Sequence, residues 1–470
     1  MSILNVYVDK TLVGVLSEEG DIWKFSYEQG WATSEEGFDL APGLPRTQIE
    51  HLDGGSNRPV QWYFDNLLPE EALRQAVSKE ANIKGDNAFE LLEYLGAESA
   101  GSLTLLPPGV VLPSASALVP LSDQELSLRI KGLTRQTLMA TAPKRMSLAG
   151  AQHKLLVVYE NGVLYEPVGA TASTHILKPN HPAKTGYPAS VINEYVTMRL
   201  ARAAGLGVPE VHIKYVPQAV YIIDRFDRVT NPRLPEEGKL PDFKVGRLHI
   251  IDACQLLNKS RGFKYHGASI EALVDIIDST TNKIQSRLHL FRWLVFNILV
   301  ANDDAHLKNL SFFVSAEGTR VAPHYDLLAT GAYYTKAIAN ENATWPNVQM
   351  AFALPNLATL AKQNTELASE ALAERPLPIA MPKAETFGQV TERCILDAGV
   401  QMGLNISTVR RTLAAVIAVV PRALQAEKAA MEVRHAQLSA EAKPFAANEM
   451  RLISVVEHII IKDMLQRMGA

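Results

Sequence analysis

The chain has 470 residues, of which 47% are hydrophobic and 20% are charged, a composition typical of a globular protein with two or three domains. Its net charge of −4 argues against a polybasic protein that coats nucleic acid by itself, but leaves room for a local basic patch. The two cysteines, Cys254 and Cys394, are isolated, which excludes a disulfide framework and a CxxC metal site and favours a reducing cytoplasm. No apolar run reaches the roughly 18 residues needed to cross a bilayer, and MSILNVYVDKTLVG lacks the features of a signal peptide.

The first segment, up to about Pro113, is predicted to form a small α+β unit. Period-2 alternation in LNVYVDKTLVGVLSEEGDIWKFSYE predicts two or three short strands, broken at Asp9 and at a Glu-Gly pair. Pro69, followed by two glutamates, is typical of a helix start. FELLEYLG predicts a helix that ends at Gly96, and AGSLTLLPP predicts a strand. The Pro-, Ser- and Val-rich stretch that follows is interpreted as a linker over 114–145, or alternatively as a tethered extended segment.

A second pattern begins at Met146. KLLVVYE and VLYEP flank Asn161 and Gly162, the preferred residues of a type I′ hairpin turn. STHILKP predicts a further strand that carries Lys178, and ASVINEYVTMRLARAAGLGVP predicts an amphipathic helix ended by glycines. EVHIKYVPQAVYIIDRFDR gives two more strands. Beyond this point the pattern is mainly helical, with one hairpin in LSFFVSAEGTRVAPHYD.

The order of elements is therefore a β-rich lobe with one helix, followed by a helical lobe. This layout predicts an α+β, protein-kinase-like two-lobed fold with an N-terminal β-rich subdomain and, apart from the one hairpin, an all-helical C-terminal lobe. We expect an N-terminal subdomain at 1–113, a linker at 114–145, an N-lobe at 146–245 and a helical C-lobe at 246–470.

Chemistry-bearing side chains are concentrated in NDDAHLKNLSFF, residues 302–313, directly after an apolar run. Asp304 is followed by four residues and then Asn309. Kinase-class phosphotransferases use an aspartate to orient and deprotonate the attacking hydroxyl, and an asparagine at this interval to hold Mg²⁺. A second metal-binding aspartate is expected after a short hairpin, and Asp326 ends the predicted hairpin. Oxygen ligands of this kind suit Mg²⁺.

Two upstream residues fit the same chemistry. Lys178, on a strand, is suited to bind nucleotide phosphates, and Glu194, on the next predicted helix, is suited to pair with that lysine. Each residue alone has a structural alternative: a solvated Asp-Asp loop, a surface lysine, an exposed helical glutamate or a helix cap. The joint order of lysine, glutamate, Asp-x4-Asn, hairpin and aspartate favours phosphoryl transfer.

A rival interpretation treats Asp303, Asp304 and His306 as a metal-hydrolase cluster. Such sites need further imidazole ligands that converge on the metal. The remaining histidines show no paired spacing, which argues against this class.

The stretch MSLAGAQHK, residues 146–154, precedes the first strand of the second part. It has one glycine and matches neither a Walker A motif nor a G-x-G-x-x-G loop. The small residues Ala149, Gly150 and Ala151 still allow backbone N–H groups to approach phosphate oxygens, and Lys154 adds positive charge. The structural alternative is a plain strand entry.

Several motifs, in this order along the chain, resemble those of the HipA-type serine/threonine kinases, the toxins of bacterial type II toxin–antitoxin modules. The resemblance covers nearly the whole chain and rests on DNLLPE, LGAESAGSLTL, SLAGAQHK, THILKP, NEYVTMRLARAAGL, DRFDR, DAHLKN and PHYDLL. It implies ATP and Mg²⁺ as cofactors.

The resemblance also implies roles for individual residues. Asp304 corresponds to the catalytic aspartate, Asn309 and Asp326 to the Mg²⁺ ligands, and Ser147 to a serine that family members phosphorylate on themselves. The implied ATP contacts form a phosphate loop, a phosphate-binding lysine, an adenine site between the lobes and part of the catalytic loop: Ala149, Gly150, Ala151, Gln152, His153, Lys154, Lys178, Asp224, Arg225, Phe226, His306, Leu307, Lys308, Asn309, Tyr325 and Asp326.

The chain departs from the family at two of these positions, His153 and Asp224, where glutamate is common in the family. The partner implied is a HipB-like helix-turn-helix antitoxin, with operator DNA bound mainly through it. The implied substrate is a translation factor of the aminoacyl-tRNA synthetase type, in the cytoplasm and without a membrane partner. Two alternatives stay open: a kinase-like corepressor that acts mainly with its antitoxin, and a small-molecule phosphotransferase. The intact site residues favour an active enzyme over a corepressor.

Overall fold

The computed structural model describes residues 1–84, 87–144, 146, 149–183, 185–231, 244–356 and 382–470. Over these ranges the chain combines sheets and helices, as its periodicity predicts. No helix in the described ranges is both long enough and apolar enough to cross a membrane.

The N-terminal region is built on a five-stranded antiparallel sheet in the order β4-β3-β2-β1-β5. Its strands are β1 Ser2–Val8, β2 Thr11–Glu19, β3 Ile22–Tyr27, β4 Glu50–Leu52 and β5 Leu103–Leu106. Its helices are α1 Gln29–Thr33, α2 Pro59–Asp65, α3 Glu71–Glu80 and α4 Ala88–Leu95. Alternate residues such as Leu4 and Val6 on β1, and Trp23 and Phe25 on β3, are buried, so one face of the sheet packs on the core. The strands, the helix after Pro69 and the helix ending before Gly96 are confirmed.

A six-stranded sheet follows in the order β10-β11-β9-β7-β8-β6. Its strands are β6 Ser116–Leu121, β7 Leu155–Glu160, β8 Val163–Gly169, β9 His175–Pro179, β10 Val211–Tyr215 and β11 Ala219–Asp224. The turn between β7 and β8 has φ of 48° at Asn161 and 82° at Gly162, as a type I′ turn requires. Helix α6, Ser190–Ala203, packs against β10 and β11.

The segment predicted as a linker, 114–145, contributes β6 and helix α5, Asp123–Lys131, to this region. β6 pairs with β8, and Leu121 and Leu126 are buried against the sheet. The structure thus agrees with the tethered alternative rather than a free linker. Proline lowers strand propensity, but Pro120 is tolerated because β6 is an edge strand.

The rest of the chain is mainly helical. Its helices are α7 Ala253–Leu256, α8 Ile270–Asp278, α9 Lys283–Leu299, α10 Lys336–Ala339, α11 Glu392–Gln401, α12 Ile406–Ala436, α13 Lys443–Val455 and α14 Lys462–Arg467. A π-helical stretch, Val456–Ile461, joins α13 to α14. The strands are β12 Arg228–Asn231, β13 Lys244–Arg247, β14 Ile250–Asp252, β15 Ser311–Ser315, β16 Gly318–Val321, β17 Gln349–Pro355 and β18 Lys383–Thr386.

The predicted hairpin is the β15–β16 pair, but strands extend beyond it. β14 adds a third strand to the hairpin, within a stretch predicted to be helical, because its isoleucines pair with β15. Asp252 then caps α7 with a reciprocal capping box. β17 and β18 form a further two-stranded sheet. Helix α9 is largely buried, with Leu290, Phe291 and Trp293 among its core residues, and it leads directly into the candidate catalytic loop.

Candidate active site

A cavity of about 740 Å³ lies between the N-terminal region, the six-stranded sheet and the helical lobe. This volume falls within the range of small-molecule sites. Most of the residues predicted for the site line this cleft, although they come from segments up to about 180 positions apart.

Lys178, near the end of β9, links two carboxylates in the cleft. Its Nζ lies 2.7 Å from Glu194 Oε1 on α6 and 2.5 Å from Asp326 Oδ1 after the β15–β16 hairpin. Lys178 and Glu194 are both buried. Burial opposes the charge on Lys178, but the two carboxylates outweigh it and raise the pKa of the lysine above its ordinary value. The ion pair expected between Lys178 and Glu194 is present.

Asp326 has a left-handed backbone, with φ of 57°, which turns its side chain back toward the cleft after β16. Burial alone would raise the pKa of Asp326, but Lys178 and Lys154 lower it, so the carboxylate is ionised at neutral pH. Lys178 contacts one of its oxygens and leaves the other for a cation.

Asp304 follows α9 in a loop that presents its carboxylate to the cleft, with 44% of the side chain exposed. Oδ1 accepts a hydrogen bond from the Tyr265 hydroxyl and lies 3.6 Å from Nε2 of His306. Desolvation in the cleft, with repulsion from Asp326 and Asp303, raises the pKa of Asp304 to about 7. A carboxylate with a raised pKa is suited to accept a proton near neutral pH.

Asn309 lies beside this carboxylate. Its Nδ2 donates to the Asp304 carbonyl at 2.6 Å, which fixes the orientation of the amide. Because the amide nitrogen is used in this way, the Asn309 side-chain oxygen is left as a potential metal ligand.

Asp303, the neighbouring acid, is held differently. Its Oδ2 accepts from the Tyr334 hydroxyl at 2.8 Å, and its backbone N–H donates to Oγ1 of Thr330 at 2.8 Å. Among the described residues, the one group of His, Cys, Asp or Glu close enough to share a metal ion lies elsewhere, so the metal-hydrolase interpretation has no support here.

That group is His175 on β9, His212 on β10 and Asp224 at the end of β11. Asp224 Oδ1 lies 3.1 Å from Nε2 of His175 and 3.2 Å from Nε2 of His212. The backbone N–H of Tyr159 donates to Nδ1 of His175, so the proton of this ring is on Nε2 and is donated to Asp224. These contacts lower the pKa of Asp224 despite its partial burial. The group is thus a hydrogen-bonded cluster, of which Asp224 lines the cleft.

The next two residues of the DRFDR motif have separate roles. The Arg225 guanidinium is buried and binds Glu98 and Asp227, so its function is structural. The Phe226 ring stacks on Tyr325 at 5.6 Å between centroids, with 28° between the planes. Both rings belong to the cleft wall.

The candidate phosphate loop is described from Ala149 onward, and Ser147 lies outside the described residues. Gly150 has φ of 107°, and its carbonyl accepts from the backbone N–H of Glu70 at 3.1 Å. Lys154 Nζ donates to the Ala149 carbonyl at 2.5 Å. Burial, with repulsion from Lys178, lowers the pKa of Lys154 to about 8.

The remaining members of the loop differ in position. Ala151 and Gln152 line the cleft. His153 does not line it, and burial lowers the pKa of its imidazole.

Three catalytic-loop residues predicted to contact ATP also differ from one another. His306 lines the cleft, and burial lowers the pKa of its imidazole to about 4, so it is neutral at pH 7. Leu307 is buried and does not line the cleft. Lys308 lines it, but its ammonium binds Asp252 at 2.7 Å and the Asn66 side chain at 2.7 Å, which anchors the loop to the N-terminal region.

Glu70 and Tyr265 are among the cleft residues that sequence reasoning missed. The Glu70 carboxylate lies 2.8 Å from Lys264 and 3.4 Å from Lys308, whereas the sequence indicated only a helix start at this point. Tyr265 contacts Asp304 from the segment RGFKYHG, which has no recognisable motif. The DNLLPE motif, which ends in Glu70, was the one sequence feature that indicated a role for this residue beyond a helix start.

Comparison with known proteins agrees with this arrangement. Residues 146–385 match the family model described as the HipA-like C-terminal domain, and residues 4–106 match that of the HipA N-terminal domain. The serine/threonine-protein kinase toxin HipA of Shewanella oneidensis is 31% identical over 349 residues, which cover 70% of this chain and 76% of that protein. The putative kinase Y4mE of Sinorhizobium fredii is 33% identical over 345 residues, 70% of this chain and 78% of that protein.

A solved structure extends the match to the fold. The HipA of Shewanella oneidensis MR-1, in complex with HipB and operator DNA, superposes with a TM-score of 0.71 at 24% identity, over 98% of this chain and 99% of that chain. This likeness confirms the two-lobed α+β fold with an added N-terminal subdomain. With two family models and relatives above 30% identity, the chain belongs to the HipA family of serine/threonine-protein kinases.

Proposed function

We propose that the chain is an ATP- and Mg²⁺-dependent protein serine/threonine kinase that acts as the toxin of a HipBA-like toxin–antitoxin module. The observation that carries the proposal is the convergence of Lys178, Glu194, Asp326, Asn309 and Asp304 in one cleft. These are the lysine, glutamate, metal ligands and base that phosphoryl transfer requires.

Several side chains would bind the nucleotide. Lys178 and Lys154 supply positive charge to the triphosphate, next to the turn at Gly150. Phe226 and Tyr325 offer apolar surface to the adenine. Of the other predicted contacts, Arg225 and Lys308 would act indirectly, by fixing the walls of the site, because their charges are already paired.

The residues present also fit a magnesium ion. The free oxygen of Asp326 and the oriented amide oxygen of Asn309 are hard ligands facing one cleft. Mg²⁺, when bound, neutralises charge on the phosphates.

Asp304 would act as the general base. Its carboxylate accepts the proton of a serine or threonine hydroxyl, whose oxygen attacks the γ-phosphorus. The bond from the γ-phosphorus to the bridging oxygen breaks, and ADP leaves. The raised pKa of Asp304 makes proton transfer to this carboxylate favourable near neutral pH.

We also propose that Ser147 is a site of self-phosphorylation, on the basis of the family resemblance. Ser147 opens the phosphate loop in sequence, three positions before Gly150. A phosphate there adds close to two negative charges. That charge would repel the ATP phosphates and draw Lys154 away from them, which would switch the kinase off.

The proposed partner is a HipB-like helix-turn-helix antitoxin that carries the operator contact. The solved Shewanella oneidensis complex, which contains HipA, HipB and operator DNA, supports this assembly.

The proposed target is a translation factor of the aminoacyl-tRNA synthetase type, and the proposed compartment is the cytoplasm, in keeping with two free cysteines. We propose functional regions at 1–113, 146–245 and 246–470, with 114–145 built onto the sheet of the second.

Purified protein should be incubated with γ-labelled ATP and a bacterial cytosolic extract, with Mg²⁺ or with a chelator. We expect one labelled extract protein, phosphoserine or phosphothreonine after hydrolysis, and loss of label in the chelator. Label found in a small molecule would favour the phosphotransferase alternative. Absence of transfer to either, combined with operator binding in the presence of the antitoxin, would favour the corepressor alternative.

A further inference from the structure

Tyr265 lies at the mouth of the cleft, between α7 and α8, with 42% of its surface exposed. Its hydroxyl donates to Oδ1 of Asp304. Its ring meets the His306 imidazole edge-on at 4.9 Å between centroids. A tyrosine outside the recognised motifs is therefore in direct contact with the candidate base.

The position of Tyr265 is fixed by its neighbour Lys264. The Lys264 ammonium lies 5.2 Å from the centroid of the tyrosine ring and 2.8 Å from both the Glu70 and Glu71 carboxylates. The Lys264 carbonyl accepts the backbone N–H of Leu307 at 3.1 Å. The segment is thus tied to α3 of the N-terminal region on one side and to the catalytic loop on the other.

We propose that Tyr265 is a positioning residue for Asp304, held in place by the ion pair of Lys264 with the N-terminal region. This proposal rests on the proposed function. The carboxylate has two oxygens, and the phenol occupies Oδ1, which leaves Oδ2 to accept the proton of the substrate hydroxyl. Without the phenol, the carboxylate can rotate about its side-chain torsions, and misplacement of a base by about 1 Å costs up to roughly 100-fold in rate.

The role is distinct from that of a competitor for the base. If the Tyr265 hydroxyl occupied the position of the substrate hydroxyl, it would have to move away before each turnover. Removing it by mutation would then accelerate the reaction. A hydroxyl that orients the base stays in place, and its removal slows the reaction. The two roles therefore predict changes of opposite sign.

Tyr334 provides a matched control. Its hydroxyl donates to Oδ2 of Asp303 at 2.8 Å, so it makes the same kind of contact with the neighbouring acid in the same cleft. If only the orientation of Asp304 matters, loss of the Tyr334 hydroxyl should change the transfer rate by less than about twofold.

The experiment compares wild type, Tyr265→Phe and Tyr334→Phe by the rate of self-phosphorylation at increasing γ-labelled ATP. If the wild type does not label itself, label incorporated into an added cytosolic extract is measured in its place. For Tyr265→Phe we expect a saturating rate roughly 10- to 100-fold lower and an unchanged ATP concentration at half-saturation. Both variants keep the aromatic ring, and circular dichroism checks that they fold.

A second arm tests the support of the tyrosine. Lys264→Met should lower the saturating rate, and the double variant Lys264→Met/Tyr265→Phe should be no slower than Tyr265→Phe, because both changes act through one hydroxyl. If the rate reductions of the two single variants multiply in the double variant, Lys264 does not act by holding Tyr265 in place.

The remaining outcomes are separable. An unchanged or faster Tyr265→Phe enzyme, or an equal loss in Tyr334→Phe, would overturn the assignment of Tyr265 while leaving the kinase activity established. A wild type that transfers no phosphate to itself or to the extract would overturn the proposed function as well.

Discussion

Lys178 and Asp326, which are 148 positions apart in the chain, form an ion pair of 2.5 Å between the six-stranded sheet and the helical lobe. The same ammonium holds Glu194 on α6 at 2.7 Å. A strand lysine, a helical glutamate and the proposed metal-binding aspartate are thereby joined at one point. This junction lies at the end of the cleft where we propose that the phosphates bind, and it leads to the first two predictions.

Replacement of Lys178 by methionine should lower the free energy of unfolding by about 3–5 kcal/mol, because the buried Glu194 carboxylate and the partly buried Asp326 carboxylate would be left without their cation. Urea denaturation measures this change. Lys283→Met is the control, because Lys283 pairs with Asp278 at the surface and its side chain is 53% exposed. That change should cost less than about 1 kcal/mol. Equal effects of the two variants would show that the junction does not stabilise the fold.

Asp326→Ala should abolish Mg²⁺-dependent ATP binding, because the metal loses a direct oxygen ligand. Calorimetric titration with ATP, with and without Mg²⁺, measures the affinity. Asp303→Asn is a suitable control, since Asp303 lines the same cleft but is held by Tyr334 and Thr330. Asp326 is not a metal ligand if Asp326→Ala binds ATP with wild-type affinity and wild-type metal dependence.

The affinity for ATP should fall as pH rises through about 8. Burial lowers the pKa of Lys154 from 10.5 to about 8, so the ammonium is mostly charged at pH 7 and mostly neutral at pH 9. The triphosphate binds the charged form better, so the dissociation constant should increase by up to about tenfold per pH unit above 8. In Lys154→Met the affinity should be weaker at pH 7 and nearly constant to pH 9. A slope that persists in this variant would assign the effect to another group.

Phosphate should be found on Ser147 in protein purified with an intact Asp304, and it should be absent from the Asp304→Asn variant. Peptide mass spectrometry detects the modification. The phosphorylated form should bind ATP more weakly than the unmodified form, since the added charge repels the triphosphate. Phosphate exclusively at other residues, or equal ATP affinity of the two forms, would rule out self-inactivation through Ser147.

Local patterns predicted the elements well, and they predicted which side chains meet in the cleft where this depends on spacing along the chain. Lys178 and Glu194 follow from a strand and the next helix, and Asn309 follows Asp304 at a fixed interval. The function of Glu70 could not be predicted in this way. Pro69 and two glutamates correctly indicated the start of α3, but the contact of Glu70 with Lys264, 194 positions later, depends on how the regions dock.

The same limit explains the other discrepancies. Lys308 lies in the motif where ATP contacts were expected, yet its ammonium binds Asp252 and Asn66. These two residues are distant in the chain, so no local sequence pattern predicts that they contact Lys308. The segment 114–145 has the composition of a linker, and its strand exists because β8 offers a free edge. Tyr265 had no signal in its own sequence neighbourhood, because its partner is 39 positions away.

The rate of phosphate transfer from labelled ATP by Asp304→Asn, compared with wild type at saturating ATP and Mg²⁺, tests the central claim most directly. Asparagine keeps the size of the side chain but cannot accept the proton of the attacking hydroxyl. We predict a rate about 10²- to 10⁴-fold lower, with an unchanged circular dichroism spectrum and retained ATP binding. A variant that transfers phosphate at the wild-type rate would contradict the assignment of Asp304 as the catalytic base.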